Sequence, residues 1–78
     1  MNDTDLDARN LLCPLPVIRT QDAIKQLQPG DRLHVHCTDP GALHDIPTWC
    51  RINGHAVCDV ERAGREITIT VQVGDAVS

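Results

Sequence analysis

The stretch ITITVQV, residues 67–73, alternates apolar and polar side chains over its whole length. A period of two is typical of a β-strand that buries one side and exposes the other. The same alternation precedes it in residues 32–38 and 56–61, and residues 62–65 predict a hairpin turn before the last strand. Three strands with one apolar side each predict a sheet that is covered by helices on a single face.

Two segments between these strands predict the helices. Residues 14–27 open with Pro14-Leu15-Pro16, and proline suits the first helical turn. The second helix covers roughly residues 40–52, with Asp39 as its N-cap. Pro47 lies inside this helix and removes one backbone hydrogen bond, so we expect a kink or break near Asp45, which would cap the restarted helix.

A short first strand completes the fold, because Leu6 and Ala8 alternate with charged residues. The order is then β-α-β-α-β-β, which predicts an α/β (α+β) two-layer sandwich: one mixed four-stranded sheet with both helices on one face. A chain of 78 residues fits one domain. We place that domain at residues 5–73, with frayed tails at residues 1–4 and 74–78.

The composition and length of the chain disfavour nucleic-acid binding, membrane insertion and a large cofactor site. The net charge is −4 and aromatic residues make up 1% of the chain, which disfavours both a phosphate-binding surface and base stacking, so we expect no direct nucleic-acid binding. No apolar run approaches the ~18 residues of a membrane helix, and the acidic N-terminus is unlike a signal peptide. We expect a cytoplasmic monomer without membrane insertion. A domain this small has no room for an elaborate cofactor cavity, and we expect no cofactor.

The sequence Cys13-Pro14-Leu15-Pro16 carries the strongest chemical signal. Cys13 is predicted at the N-cap of the first helix, where the helix dipole favours a thiolate. Pro14 and Pro16 have fixed φ angles and no N–H, so we expect them to position the thiol. A second cysteine within one turn is absent from the sequence, which excludes a C-x-x-C redox pair. A single exposed thiolate can instead carry sulfur as a persulfide.

These residues, together with Thr38-Asp39-Pro40-Gly41 and Asp45-Ile46-Pro47, give the chain a close resemblance to one family. Over about residues 5–73 it resembles the TusA/SirA family of small sulfur-carrier proteins. The resemblance implies the fold described above and implies that Cys13 carries the persulfide. It also implies a sulfur donor protein, a cysteine desulfurase or rhodanese, and an acceptor protein in tRNA thiolation, molybdenum cofactor biosynthesis or sulfur oxidation.

A docking surface for these partners is predicted near the thiol. Leu15 points away from the apolar side of its helix, and Arg19 matches a position, six residues past the cysteine, where family members often carry a basic residue. Asp39 and Asp45 would complete the rim if the two helices lie side by side. The alternative function is a non-catalytic regulatory or interaction module for a redox enzyme or a sulfur transporter.

The remaining cysteines are predicted to be packed as small apolar residues. Cys37 and Cys58 take inward positions on their strands, and Cys50 lies beside Trp49 on the second helix.

His34 and His36 share the polar side of the second strand, and an H-x-H pair can bind zinc or copper. A third ligand is not evident in the sequence, although His55 on a neighbouring strand could approach. We therefore expect solvated histidines and no metal.

Overall fold

The alternating segments form a single four-stranded sheet. The computed structural model describes residues 3–12 and 14–74. The strands run in the order β1-β2-β4-β3, with β1 parallel to β2 and the other two pairs antiparallel. The predicted class and element order are confirmed. The elements are β1 (Asp3–Ala8), α1 (Leu15–Ile24), β2 (Arg32–Cys37), α2 (Ala42–Ile52), β3 (Ala56–Ala63) and β4 (Glu66–Gln72).

The core lies between the sheet and both helices. Inward residues of β2 and β4 join the buried residues of the helices in one apolar cluster, as the alternation predicts. No helix within residues 3–12 and 14–74 has the length and apolar character needed to cross a bilayer. The buried apolar residues are Ala8, Ile24, Leu33, Val35, Cys37, Ala42, Ile46, Cys50, Ile67, Ile69, Val71 and Val73.

The ordered fold extends beyond the predicted domain at both ends. Asp3 and Thr4 belong to β1, where they pair with the first two residues of β2, so the tail predicted over residues 1–4 is wrong for these two. Gly74 is also held, because its N–H donates to His55 Nδ1 at 3.0 Å. The parts of the predicted tails at residues 1–2 and 75–78 lie outside the described residues.

Helix α1 ends at Ile24, three residues before the predicted end. The following residues form a tighter turn, in which Gln26 N–H donates to the Ala23 carbonyl at 3.1 Å and Leu27 N–H to the Ile24 carbonyl at 3.0 Å. Such i→i+3 bonds are common at helix ends. Leu27 still packs against the core, so the apolar side continues past the regular helix.

Helix α2 runs through Pro47 without interruption, so the predicted break is wrong. Asp45 does not cap a restarted helix, because its N–H donates to the Gly41 carbonyl within the first turn at 3.0 Å. Pro47 removes a single backbone bond. Ile46 and Cys50 are both buried in the core, and their packing keeps the helix in place on either side of the proline.

The prediction for Cys58 is also wrong, because β3 contains a β-bulge. Val57 pairs with Val71 and Asp59 with Thr70, which leaves Cys58 as the extra residue between them. A bulge shifts the alternation of side chains by one position. Cys58 is therefore exposed, with Sγ 3.6 Å from Gln72 Oε1.

Substitutions on the two sides of α2 should separate core packing from helix propensity. Ile46→Ala removes a fully buried side chain and should lower the free energy of unfolding by about 2–5 kcal/mol. The matched control is Ile52→Ala, since Ile52 is 75% exposed and should change stability by about 0.5 kcal/mol or less. Urea unfolding followed by circular dichroism measures both, and equal losses would contradict the core assignment.

Candidate functional site

The site lies at the edge where the two parallel strands end. Ala8 and Cys37 pair at the last position of β1 and β2, so the loops that follow both strands begin side by side. Asn10 N–H donates to Thr38 Oγ1 at 2.9 Å and links the two loops. Asn10 adopts a φ of +64°, a left-handed conformation that asparagine tolerates better than most residues. The loop after β1 is thereby turned towards the start of α1.

A tight turn leads into α1. Leu15 N–H donates to the Leu12 carbonyl at 2.9 Å, and Ile18 N–H donates to the Pro14 carbonyl at 3.1 Å. Pro14 is the N-cap residue, with φ −94° and ψ 14°, so the cap lies one residue later than predicted. The carbonyl of an N-cap residue accepts the first hydrogen bond of the helix, and the Pro14 carbonyl accepts that bond from the Ile18 N–H. Cys13 lies outside the described residues, and its predicted role stays a prediction.

The two prolines of the motif have different surroundings. Pro16 is buried, whereas Pro14 is exposed. The hydroxyl of buried Thr20 donates to the Pro16 carbonyl at 2.8 Å, which satisfies its hydrogen bond inside the core. Pro16 therefore fixes the start of α1 to the core, while Pro14 faces solvent beside the position of Cys13.

Exposed apolar side chains surround this turn. Leu12 is 74% exposed, Leu15 42% and Ile18 43%. The exposure of Leu15 agrees with the sequence prediction, and that of its neighbours was not predicted. Leu15 and Ile18 lie three residues apart on one side of α1, and Arg19 is exposed next to them. We name Leu12, Leu15 and Ile18 the apolar patch.

The predicted acidic rim lies at the start of α2. Asp39 Oδ1 accepts the Gly41 N–H at 3.1 Å, and the Asp39 carbonyl accepts the Ala42 N–H at 3.0 Å. The regular helix begins at Ala42 with Gly41 at the N-cap, two residues after the predicted cap, yet Asp39 supports the turn that enters it. Asp45 is half-buried, with Oδ1 3.4 Å from Nδ1 of His44. Helices α1 and α2 pack against each other, as the prediction of a shared rim requires.

The cysteines that the structure describes differ sharply in environment. Cys37 and Cys50 are buried as predicted. Burial, with a smaller contribution from Asp39, raises the pKa of the Cys37 thiol, and burial raises the pKa of Cys50 to about 11. Neither is a good thiolate at neutral pH. Exposed Cys58 lies beside Gln72, which pairs with Arg32 at the start of β2 and so at the far end of the sheet.

The strand histidines form two cross-strand rows on the open face of the sheet. His34 bridges Thr70 Oγ1 at 3.0 Å and Asp3 Oδ1 at 3.2 Å. His36 bridges Thr68 Oγ1 at 3.2 Å and Asp5 Oδ1 at 3.0 Å. The hydrogen bond from His36 lowers the pKa of Asp5.

The predicted approach of His55 to the strand histidines is wrong. His55 is buried at the end of α2 and stacks on Trp49 with ring centroids 5.3 Å apart. Its Nδ1 accepts the Gly74 N–H. Among residues 3–12 and 14–74 no group of three or more His, Cys, Asp or Glu side chains is arranged to hold a metal ion.

The protein is a small two-layer sandwich whose first helix begins at an exposed apolar patch. The family described as Sulfurtransferase TusA matches residues 4–73. YrkI of Bacillus subtilis is 37% identical over 73 residues, which cover 94% of this chain and 97% of that protein. The sulfur carrier protein TusA of Pseudomonas paraeruginosa is 41% identical over 63 residues, 80% of each chain.

A solved structure supports the same fold. The crystal structure of a SirA-like protein from Desulfitobacterium hafniense aligns with a TM-score of 0.80 over 92% of this chain and 99% of that one, at 23% identity. Family and fold therefore agree. The chain belongs to the TusA family of sulfurtransferases.

Burial of His55 predicts a pH-dependent stability. Burial lowers the pKa of His55 below its ordinary value of 6.5, so the folded protein favours the neutral ring. The stability that the neutral His55 ring contributes should be fully present above about pH 6.5. It should be lost as the pH falls through the lowered pKa of His55. His55→Gln keeps an acceptor for Gly74 and does not titrate. Between about pH 5 and pH 7.5, the free energy of unfolding measured with urea should depend less on pH in the variant than in the wild type. If the free energy of unfolding changes equally with pH in both proteins, His55 is not the source of the pH dependence.

Proposed function

We propose that this protein is a sulfur relay that carries sulfane sulfur as a persulfide on Cys13. Membership in a sulfur-carrier family gives the general role. The observation that carries the proposal is that Leu12, Pro14 and Leu15, the described neighbours of residue 13 in the chain, are all exposed. Cys37 and Cys50 are enclosed in the core, where a partner protein has no access to their sulfur atoms.

The transfer requires two exchange steps at one sulfur atom. The Cys13 thiolate attacks the outer sulfur of a donor persulfide, a new S–S bond forms, and the donor cysteine leaves as a thiolate. An acceptor nucleophile then attacks the outer sulfur on Cys13, which leaves as a thiolate in its turn. The two steps balance without an external oxidant. A cysteine desulfurase or a rhodanese is the donor class, and tRNA thiolation, molybdenum cofactor biosynthesis and sulfur oxidation are the candidate acceptor pathways.

The apolar patch and its charged neighbours are the proposed docking surface for the donor protein. Leu12, Leu15 and Ile18 expose apolar area, and such area supplies affinity when it is buried in a protein–protein contact. Arg19 on α1 and Asp39 and Asp45 at the start of α2 form the rim. Rim charges mainly set the rate of association, which suits a carrier that must bind and leave quickly.

Removal of the Cys13 thiol should abolish sulfur loading. Wild-type protein incubated with a cysteine desulfurase and cysteine should gain one sulfur atom by intact-mass analysis, and Cys13→Ser should gain none while keeping its circular dichroism spectrum. The matched control is Cys58→Ser, because Cys58 is the exposed cysteine among the described residues and lies at the far end of the sheet. Normal loading of Cys13→Ser, or loss of loading in Cys58→Ser, would overturn the assignment.

Substitutions in the docking surface should weaken binding without unfolding the protein. Leu15→Asp should reduce the affinity for a cysteine desulfurase or rhodanese by about 1 kcal/mol or more, because a charge then occupies the apolar patch. Arg19→Glu should slow sulfur transfer and change its salt dependence, since it inverts a rim charge. Titration calorimetry and single-turnover transfer measure the two effects.

Two matched controls separate docking from general surface effects. Ile52→Asp alters an equally apolar exposed residue at the opposite end of α2, and Arg32→Glu inverts an exposed charge at the start of β2, on the far side of the molecule. Both should transfer sulfur at the wild-type rate. If Leu15→Asp and Arg19→Glu behave like these controls, the docking surface lies elsewhere.

A further inference from the structure

The face of the sheet that the helices leave open carries most of the charged side chains of the strands. Side chains of paired residues in neighbouring strands lie on the same face of a sheet. The register that includes His34 and His36 therefore gathers six carboxylates and Arg32 on this face, and Arg9 reaches it from the end of β1. We name this group the open acidic face. Its carboxylates are those of Asp3, Asp5, Asp7, Asp59, Glu61 and Glu66.

The open acidic face carries the whole excess charge of the protein. Its six carboxylates and two arginines sum to −4, and the formal net charge of the sequence is also −4, with 11 acidic and 7 basic residues. The remaining five acidic and five basic residues cancel each other. The charge is therefore distributed unevenly, with all of the surplus on one face of the sheet.

The carboxylates of β1 are held in place and remain charged. The Asp5 carboxylate lies 3.0 Å from His36 Nε2 and the Asp7 carboxylate 2.9 Å from Arg9 Nε, yet the two side chains stay 76% and 66% exposed. The hydrogen bond from His36 lowers the pKa of Asp5, and hydrogen bonds from Arg9 lower the pKa of Asp7 to about 2. Both groups are therefore ionised at neutral pH and accessible to a partner.

The β-bulge in β3 turns two further carboxylates onto this face. Val57 packs against the core, and strict alternation would place Asp59 and Glu61 on the same side as Val57. Because Cys58 is the extra residue of the bulge, Asp59 and Glu61 instead pair with threonines whose side chains lie on the open face. Both are exposed, and neither carboxylate has a hydrogen bond or ion pair with another residue of the ranges 3–12 and 14–74.

The sign of this charge selects the kind of partner. A second copy of the chain would bring another acidic face against the first, and like charges in an interface disfavour association. A nucleic acid or an anionic membrane would bring phosphate groups, which are also negative. Lysine and arginine side chains, in contrast, form charge-assisted hydrogen bonds with carboxylates. A basic protein surface is therefore the occupant that the charge of this face favours.

The size of the face indicates a transient contact. Strands of six residues are about 20 Å long, and four strands spaced by about 4.8 Å span about 15 Å, so the face covers on the order of 300 Å². Each partner in a stable complex of standard size buries about 800 Å². The open acidic face is smaller than that, and its contribution depends on charge rather than on apolar burial.

We propose that the open acidic face binds the basic surface of a partner protein, rich in lysine and arginine, in a weak contact that salt weakens further. Opposite potentials speed the approach of two such surfaces. The proposal does not depend on sulfur transfer. Helix α1, which carries Leu15 and Ile18 of the apolar patch, covers the opposite face of the sheet, so the two surfaces can be tested separately.

The test uses lysozyme, a basic protein, as the probe and follows the amide NMR signals of the full chain. At about 20 mM salt the signals of His34, Asp59 and Glu61 should shift in a saturable manner, and those of Gln21 and Arg51, exposed on the helices, should stay unchanged. The shifts should fall strongly at about 300 mM salt, because exposed charges are then screened. Lysozyme with acetylated lysines should cause smaller shifts, since acetylation removes the charge of each lysine.

Two charge reversals separate this face from the net charge of the protein. Glu61→Lys and Asp22→Lys both change the formal net charge from −4 to −2, but Asp22 is exposed on α1, on the other side of the molecule. Glu61→Lys should weaken lysozyme binding about threefold or more, and Asp22→Lys should change it less than about twofold. Glu61→Gln, which keeps the shape of the side chain, should show a smaller loss than Glu61→Lys in the same direction.

Three outcomes would overturn the proposal. Equal losses of affinity in Glu61→Lys and Asp22→Lys would show that net charge, and not this face, determines binding. Shifts spread evenly over the helices and the sheet would show the same. Shifts on the open acidic face that grow with the concentration of the protein alone, without lysozyme, would identify a second copy of the chain as the occupant.

Discussion

The parallel pairing of β1 with β2 sets the geometry of the edge at which the candidate site lies. It fixes Ala8 opposite Cys37, so both strands end at one edge of the sheet. The loops after parallel strands then meet, and the bond between Asn10 and Thr38 joins them. Parallel strands also require a crossover helix, and α1 supplies it. The start of α1 therefore lies at the same edge of the sheet as the start of α2.

The helices cover only one face of the sheet, so one face is apolar and the other is polar. The helices bury the apolar face, and the opposite face keeps polar rows in which His34 and His36 each join a threonine to an aspartate across three strands. Both histidines therefore have hydrogen-bond partners within the sheet. His55, by contrast, belongs to the packed end of α2, where its ring stacks on Trp49.

The fold also separates the thiols by accessibility. Cys37 and Cys50 are held in the core, where burial raises their pKa values and keeps them protonated. Cys58 is exposed by a bulge in β3, at the end of the sheet remote from the motif. The three described thiols are therefore either enclosed in the core or at the end of the sheet remote from Pro14.

Local signals were enough to predict the fold class, because the periods of 2 and 3.6 residues and the proline positions can be read within short segments. The sequence placed Cys58 wrongly, since a bulge depends on pairing with a partner strand. It also predicted a kink or break near Asp45, and the break does not occur, because α2 is continuous through Pro47. The exposure of Leu12 and Ile18 required the tertiary structure, because packing of the whole chain decides which apolar side chains the core leaves uncovered.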